Sequence, residues 1–103
     1  MTTQPEAAVW TALKTVIDPE LSISIVDLGL VYRVVLSEKP KVKIYMTLTS
    51  MGCPLYSTIQ TDMYTALSPL GYSVDDIEIE LTWDPPWNEN MMSDEAKAEI
   101  GML

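Results

Sequence analysis

The sequence predicts an α+β domain in which helices pack on one face of a β-sheet. Apolar residues follow a helical spacing before residue 18 and again over 55–70. Strand-like stretches cover 28–36, 41–49 and 73–83. These changes of period give the order α-β-β-α-β, followed by a short C-terminal helix. For 103 residues we expect a single domain, 1–103, built as a two-layer sandwich.

A capping box opens the first predicted helix, with Thr3 as N-cap and Glu6 three residues later. Apolar residues then follow the helical spacing at Val9, Trp10, Leu13, Val16 and Ile17. We expect Asp18-Pro19 to end this helix, because proline pushes the preceding residue out of the α region.

An antiparallel hairpin is predicted next. Residues 28–36 are rich in β-branched and aromatic side chains, and residues 37–40 form a turn. Over 41–49 apolar and polar residues alternate. The face expected in the core carries Val42, Ile44, Met46 and Leu48.

Pro54 is placed at the first position of a second helix, with Cys53 as its N-cap. The apolar stripe of this helix is Leu55, Ile59, Met63, Ala66, Leu67 and Leu70. Gly71 has the position of a C′ residue. The third strand should turn Ile77, Ile79 and Leu81 to the core, and Ser93 should cap the tail helix.

Composition narrows the class of protein. Six basic residues against 15 acidic ones give a net charge of −9, which disfavours nucleic acid and anionic lipid as partners. No apolar run approaches the roughly 20 residues that cross a bilayer. The N-terminus lacks the regions of a signal peptide. One cysteine excludes an internal disulfide, and we expect a cytoplasmic protein.

Cys53 is the candidate reactive group. At a helix N-terminus its thiol would face unpaired N–H groups and the positive end of the helix dipole, which favour the thiolate. The chain has no histidine, so neither a Cys–His pair nor a histidine metal site can form within it. The alternative, that Cys53 is a small buried hydrophobe, stays open.

Three segments are expected to meet near this thiol: the loops at 18–30, 47–53 and 83–92. Each also has a purely structural interpretation. Asp18 and Asp27 could bond turn amides, and Thr49 and Ser50 could satisfy local backbone groups. The third segment could be either a lid on the core or a binding surface; its large side chains are Trp83, Trp87, Met91 and Met92.

The combination of motifs resembles the SufT/PaaD-type family of iron–sulfur cluster assembly factors, also called MIP18-like. The matching motifs are Asp-Pro-Glu-Leu at 18–21, Ile-Val-Asp-Leu-Gly-Leu-Val-Tyr at 25–32, Met-Thr-Leu-Thr at 46–49, Gly-Cys-Pro-Leu at 52–55, Trp-Asp-Pro-Pro-Trp at 83–87 and Met-Met-Ser at 91–93. PaaD proteins carry an extra cysteine-rich C-terminal extension that has no counterpart here, and no ATPase domain follows. We therefore expect a stand-alone SufT-like factor.

This resemblance implies a fold like the NifU-type cluster-assembly domain and a non-enzymatic role in maturing iron–sulfur proteins. It implies a site at Asp18, Glu20, Thr49, Ser50 and Cys53, with Cys53 as the metal ligand. Ser50 stands where the family often has threonine. The partners it implies are assembly or carrier proteins and apo client proteins.

Ligand count limits this role, because clusters are usually held by four cysteine thiolates. One thiol per chain leaves a homodimer that shares a cluster, a transient hand-off of iron or a cluster, or an adaptor that binds neither. The cofactor implied is a transient iron–sulfur cluster or iron, and stable binding stays open. A rival class is a thiol redox sensor or enzyme, weakened by the lack of histidine and of a resolving cysteine.

Overall fold

The computed structural model describes residues 4–19, 21–38, 41–48, 53–99 and 101, with side chains for all of them except 4, 5 and 53–55. The helices are α1 (Gln4–Leu13), α2 (Cys53–Leu67) and α3 (Asp94–Glu99). The strands are β1 (Ile17–Asp18), β2 (Ile23–Ser24), β3 (Val31–Leu36), β4 (Val42–Met46) and β5 (Ile77–Leu81). Short 3₁₀ helices cover Ser68–Leu70, Val74–Asp76 and Glu89–Met91. The main order is the predicted α-β-β-α-β with a tail helix.

The main sheet has the order β3-β4-β5. β3 and β4 form the expected antiparallel hairpin, with Val34 opposite Ile44. β5 pairs parallel to β4, with Ile79 opposite Ile44. Parallel neighbours need a crossover connection, and α2 lies within it. This topology places the start of α2 directly after the central strand of the sheet.

One face of the sheet is buried against the helices, as the alternating pattern predicts. The core combines residues of β4 with residues of α1 and α2. Its central members are Val9, Leu13, Val42, Ile44, Met46, Ile59, Met63 and Leu67, all with no exposed surface. The fold is therefore the predicted two-layer α+β arrangement.

The other face of the sheet is polar and open to solvent. Lys43 lies 3.2 Å from a carboxylate oxygen of both Glu78 and Glu80 on β5. Hydrogen bonds to Glu78, Tyr45 and Glu80 raise the pKa of Lys43 above its ordinary value of 10.5. These ion pairs account for the alternation of charge along the strands.

The first helix ends earlier than predicted, at Leu13 rather than beside Asp18. The Thr15 hydroxyl donates to Ala12 O at 2.7 Å, and the β-branched run that follows disfavours a helix. Ile17 is 44% exposed instead of lying in the core. It belongs to β1, which pairs antiparallel with β2 in a separate two-stranded sheet. Thr3, the expected N-cap, lies outside the described residues.

The second helix begins at Cys53, one residue before the predicted first position, and ends at Leu67. A 3₁₀ turn follows, because Pro69 has no N–H to continue the α-helical bonds. Leu70 is consequently 41% exposed rather than part of the core stripe. Gly71 has the left-handed conformation expected of it, with φ 93°. In the described part of the chain, no helix is long and apolar enough to cross a membrane.

Candidate functional site

The strand-to-helix transition that carries the cysteine is confirmed. β4 ends at Met46, and α2 begins at Cys53. Cys53 therefore lies in the first turn of a 15-residue helix whose first turn holds no acidic residue. The N–H groups of that turn have no partner within the helix and mark the positive end of its dipole. This backbone position favours a thiolate.

Asp18 is held in the turn between β1 and β2. It is only 1% exposed, and its Oδ1 accepts a hydrogen bond from Leu21 N at 3.1 Å. Its carbonyl accepts from Ser22 N at 2.7 Å, where Ser22 has a positive φ of 59°. This is the turn-amide role that the sequence left open. A contribution of Asp18 to ligand binding stays a prediction.

The other predicted site residues, Glu20, Thr49 and Ser50, lie outside the described residues. Their roles stay predictions. Asp27 is described and half-buried. Its carbonyl accepts from Ser93 N at 2.7 Å, whereas its carboxylate accepts no hydrogen bond from the described residues.

Thr47, which follows β4, is a feature that sequence analysis missed. The alternating pattern put it on the polar face, but it has no exposed surface. Its N–H donates to Leu30 O at 2.8 Å, and Thr82 N donates to Met46 O at 2.8 Å, so the backbone on both sides extends the sheet. The Thr47 hydroxyl makes no hydrogen bond of normal geometry with the described residues.

Tyr32 connects this end of the sheet to the tail. Its hydroxyl donates to Pro85 O at 2.8 Å and lies 3.6 Å from Met91 Sδ. Burial raises the pKa of Tyr32, and the nearby Thr47 hydroxyl partly offsets that rise. A tyrosine in the Leu-Gly-Leu-Val-Tyr motif is the sequence signal for this connection.

In the tail segment 84–93, Trp87 and Met92 cover part of the core. Trp87 Nε1 donates to Leu28 O at 2.6 Å, and Met92 is only 4% exposed. The Ser93 hydroxyl accepts from Ala96 N at 3.1 Å, which confirms it as the cap of α3. Trp83 differs, being 42% exposed. Of the two interpretations left open for this segment, the lid holds for Trp87 and Met92.

The donor set does not form a resident metal site within the described residues. No group of three or more histidine, cysteine, aspartate or glutamate side chains comes together there. The whole sequence offers one cysteine and no histidine. Cys53 therefore carries the one thiol that the sequence offers, and its role as a ligand for iron stays a prediction.

Comparison with known proteins gives the class to which this fold and thiol belong. Residues 6–81 match a family described as "Iron-sulfur cluster assembly protein". The "Fe-S protein maturation auxiliary factor YitW" of Bacillus subtilis (strain 168) is 47% identical over 91 residues, which cover 88% of each chain. The "Fe-S protein maturation auxiliary factor SufT" of Staphylococcus aureus (strain USA300) is 45% identical over 87 residues, 84% of this chain and 98% of that one.

Solved structures agree with this comparison. The crystal structure of a "Domain of Unknown Function DUF59" from Bacillus anthracis has a TM-score of 0.84 and 40% identity, covering 100% of both chains. The solution structure of Rv1466 from Mycobacterium tuberculosis, described as associated with Fe-S complex assembly and repair, has a TM-score of 0.54 and 38% identity. The match covers 91% of this chain and 81% of the Rv1466 chain. The chain belongs to the iron–sulfur cluster assembly protein family, which confirms the resemblance drawn from its motifs.

Proposed function

We propose that this protein is an auxiliary factor in the maturation of iron–sulfur proteins, and that it acts through Cys53. The observation that carries the proposal is the position of the sole cysteine, at the first residue of α2, in a chain of the iron–sulfur cluster assembly family. Relatives covering most of the chain are named as maturation auxiliary factors. That name describes an accessory role rather than turnover of a metabolite.

In this proposal iron or a cluster is cargo rather than a resident cofactor. A helix N-terminus stabilises the thiolate form of Cys53, which is the form that binds iron. One thiolate per chain supplies a quarter of the usual ligand set, so the remaining ligands come from a donor or an acceptor protein. Such incomplete ligation suits a hand-off, because a transfer protein must release what it holds. A homodimer that shares a cluster through two Cys53 thiolates is the stable-binding variant.

The partners in this proposal are cluster-assembly or carrier proteins and apo client proteins in the cytoplasm. The alternative within the same role is an adaptor that joins carrier and client without binding cargo. It differs in one testable respect, since an adaptor does not need the sulfur of Cys53. A thiol sensor needs the sulfur but not iron.

Anaerobic reconstitution with iron and sulfide tests the role of the thiol. Wild type and Cys53→Ser are compared by absorbance and then by cluster transfer to an apo-acceptor. A matched control moves the thiol to the next turn of α2, combining Cys53→Ser with Thr58→Cys; Thr58 is exposed. We expect transfer by wild type alone.

Equal transfer by Cys53→Ser would overturn the role of the sulfur and leave the adaptor. Transfer by the relocated thiol would show that the position of Cys53 has no importance. Light scattering during reconstitution separates the two binding variants: a dimer that forms with iron supports the shared cluster, and a monomer supports the hand-off. Rapid peroxide consumption without iron-dependent colour would favour the sensor instead.

A further inference from the structure

A groove of about 770 Å³ lies between the β1–β2 sheet and α3. Ile17 on the strands and Ala98 on the helix give its exposed apolar surface, and the buried Ile23 and Ala96 also line it. Ile17 is 44% exposed, so its side chain is available for contact in the groove. The volume lies within the range of roughly 300–1,000 Å³ that is typical of binding clefts.

The rim of this groove is predominantly acidic. Asp27, Glu95 and Glu99 line it, against one basic residue, Lys14. Within the described residues none of the three carboxylates forms an ion pair, whereas Lys43 on β4 of the main sheet pairs with two others. The rim therefore leaves negative charge unneutralised beside exposed apolar surface.

The two walls of the groove are tied together. Ser93 N donates to Asp27 O at 2.7 Å, and the Ser93 hydroxyl caps α3 at 3.1 Å. Asp18 holds the opposite wall through Leu21 N. A groove with fixed walls loses little entropy when it is filled, which favours binding.

We infer that this groove binds a short segment of a partner protein in which lysine or arginine flanks apolar side chains. The apolar residues pack on Ile17 and Ala98, and the basic residues lie against Asp27, Glu95 and Glu99. Charge complementarity selects this partner, since an acidic segment would meet three unpaired carboxylates. The inference rests on the proposed function in one respect: the partner is a protein of iron–sulfur assembly.

Titration of the isotope-labelled protein with a short peptide of alternating lysine and leucine tests the groove. A glutamate–leucine peptide of the same length is the control ligand. We expect amide shifts concentrated in 14–27 and 93–99 with the basic peptide, weakening at high salt because rim charges are screened. The acidic peptide should give none.

The matched variants are Glu95→Lys with Glu99→Lys, against Asp75→Lys with Glu89→Lys. Both pairs change the net charge equally, and Asp75 and Glu89 are exposed residues outside the groove. Charge reversal in the groove should weaken binding about tenfold, and the control pair should change it less than about twofold. Ile17→Thr, which keeps the β-branched shape, should also weaken binding.

Equal weakening by both charge pairs, shifts that map elsewhere, or equal binding of the acidic peptide would each overturn the groove proposal. So would shifts in the groove that depend on protein concentration without peptide, because they would mark a contact between two copies of the chain. Peptide binding by Cys53→Ser should match wild type. The two proposals can therefore fail separately. If Cys53 has no role in cluster transfer, the groove can still bind the peptide; if the groove does not bind the peptide, the protein can still transfer a cluster through Cys53.

Discussion

Gly29 lies directly against the backbone of Met91. A Cβ built on Gly29 would overlap the Met91 carbonyl and lie 2.9 Å from the Met91 Cβ, and the φ of Gly29 is 79°. The loop before β3 and the tail thus approach more closely than any side chain at Gly29 would permit. This contact, together with the Trp87 and Tyr32 hydrogen bonds, holds the tail on the loop.

Gly29→Ala should destabilise the protein for two reasons, the positive φ and the overlap with Met91. Gly71→Ala is the matched control, because Gly71 has φ 93° but open space around it. Both variants carry the backbone strain of an L residue, about 1–2 kcal/mol. We expect Gly29→Ala to cost about 1–3 kcal/mol more in urea unfolding, the typical cost of overpacking. Equal losses would show that the tail yields to the added methyl group.

The contact between Gly29 and Met91 illustrates why the sequence predicts some parts of the fold and not others. Burial along β4 follows from a period of two, because each side chain in a strand points to one face. Val42, Ile44, Met46 and Leu48 are buried as that pattern requires. The contact of Gly29 with Met91 has no local pattern, since it joins distant parts of the chain. The two-residue strands β1 and β2 are likewise too short to show a period.

The candidate site divides in the same way. The single cysteine at a strand-to-helix boundary is a local signal, and the structure confirms that boundary. The burial of Thr47 has no local sequence signal, because it results from contacts with distant parts of the chain. Thr47 N donates to Leu30 O, Thr82 N donates to the neighbouring Met46 O, and the Tyr32 side chain lies close by. The residue type of Asp18 suggested a hydrogen bond to a turn amide, but the sequence alone could not decide between that role and ligand binding.

Trp87→Phe should destabilise the tail by removing the indole donor to Leu28 O. This hydrogen bond is short, 2.6 Å, and partly buried. Its loss leaves a carbonyl with one partner fewer, so we expect a loss of about 1–2 kcal/mol in unfolding free energy. Trp83→Phe is the control, since Trp83 is 42% exposed and should change stability by less than about 0.5 kcal/mol. An equal effect of the two substitutions would contradict the lid assignment.

Asp76 should contribute to stability at neutral pH and lose that contribution in acid. Its carboxylate accepts from Ser73 N at 2.9 Å and Ser73 Oγ at 3.1 Å. The Ser73 backbone hydrogen bond is the main cause that lowers the pKa of Asp76 below its ordinary value of 3.8. Because the folded pKa is lower than the unfolded one, the contribution is complete above the unfolded value and disappears as pH falls through the folded value.

The measurement is the unfolding free energy of wild type and Asp76→Asn across acid pH. The difference between them should be constant above about pH 5 and shrink below the ordinary aspartate pKa. Asp75→Asn, next in the chain and exposed, controls for the loss of one carboxylate. A difference that stays constant down to strong acid would mean that the Ser73 bonds do not depend on the charge of Asp76.

Cys53 should have a thiol that ionises more readily than a free one. Its backbone lies in the first turn of α2, without an acidic residue in that turn. The dipole and the N–H groups without a partner within the helix stabilise the thiolate there. Alkylation rates measured against pH should give an apparent pKa below about 8.5, the value of a free thiol.

The control is Thr58→Cys in the Cys53→Ser background, where the thiol at an exposed second-turn position should have an apparent pKa of about 8.5. An apparent pKa above about 9 for Cys53 would identify a buried, inert thiol and contradict its activation by the helix N-terminus.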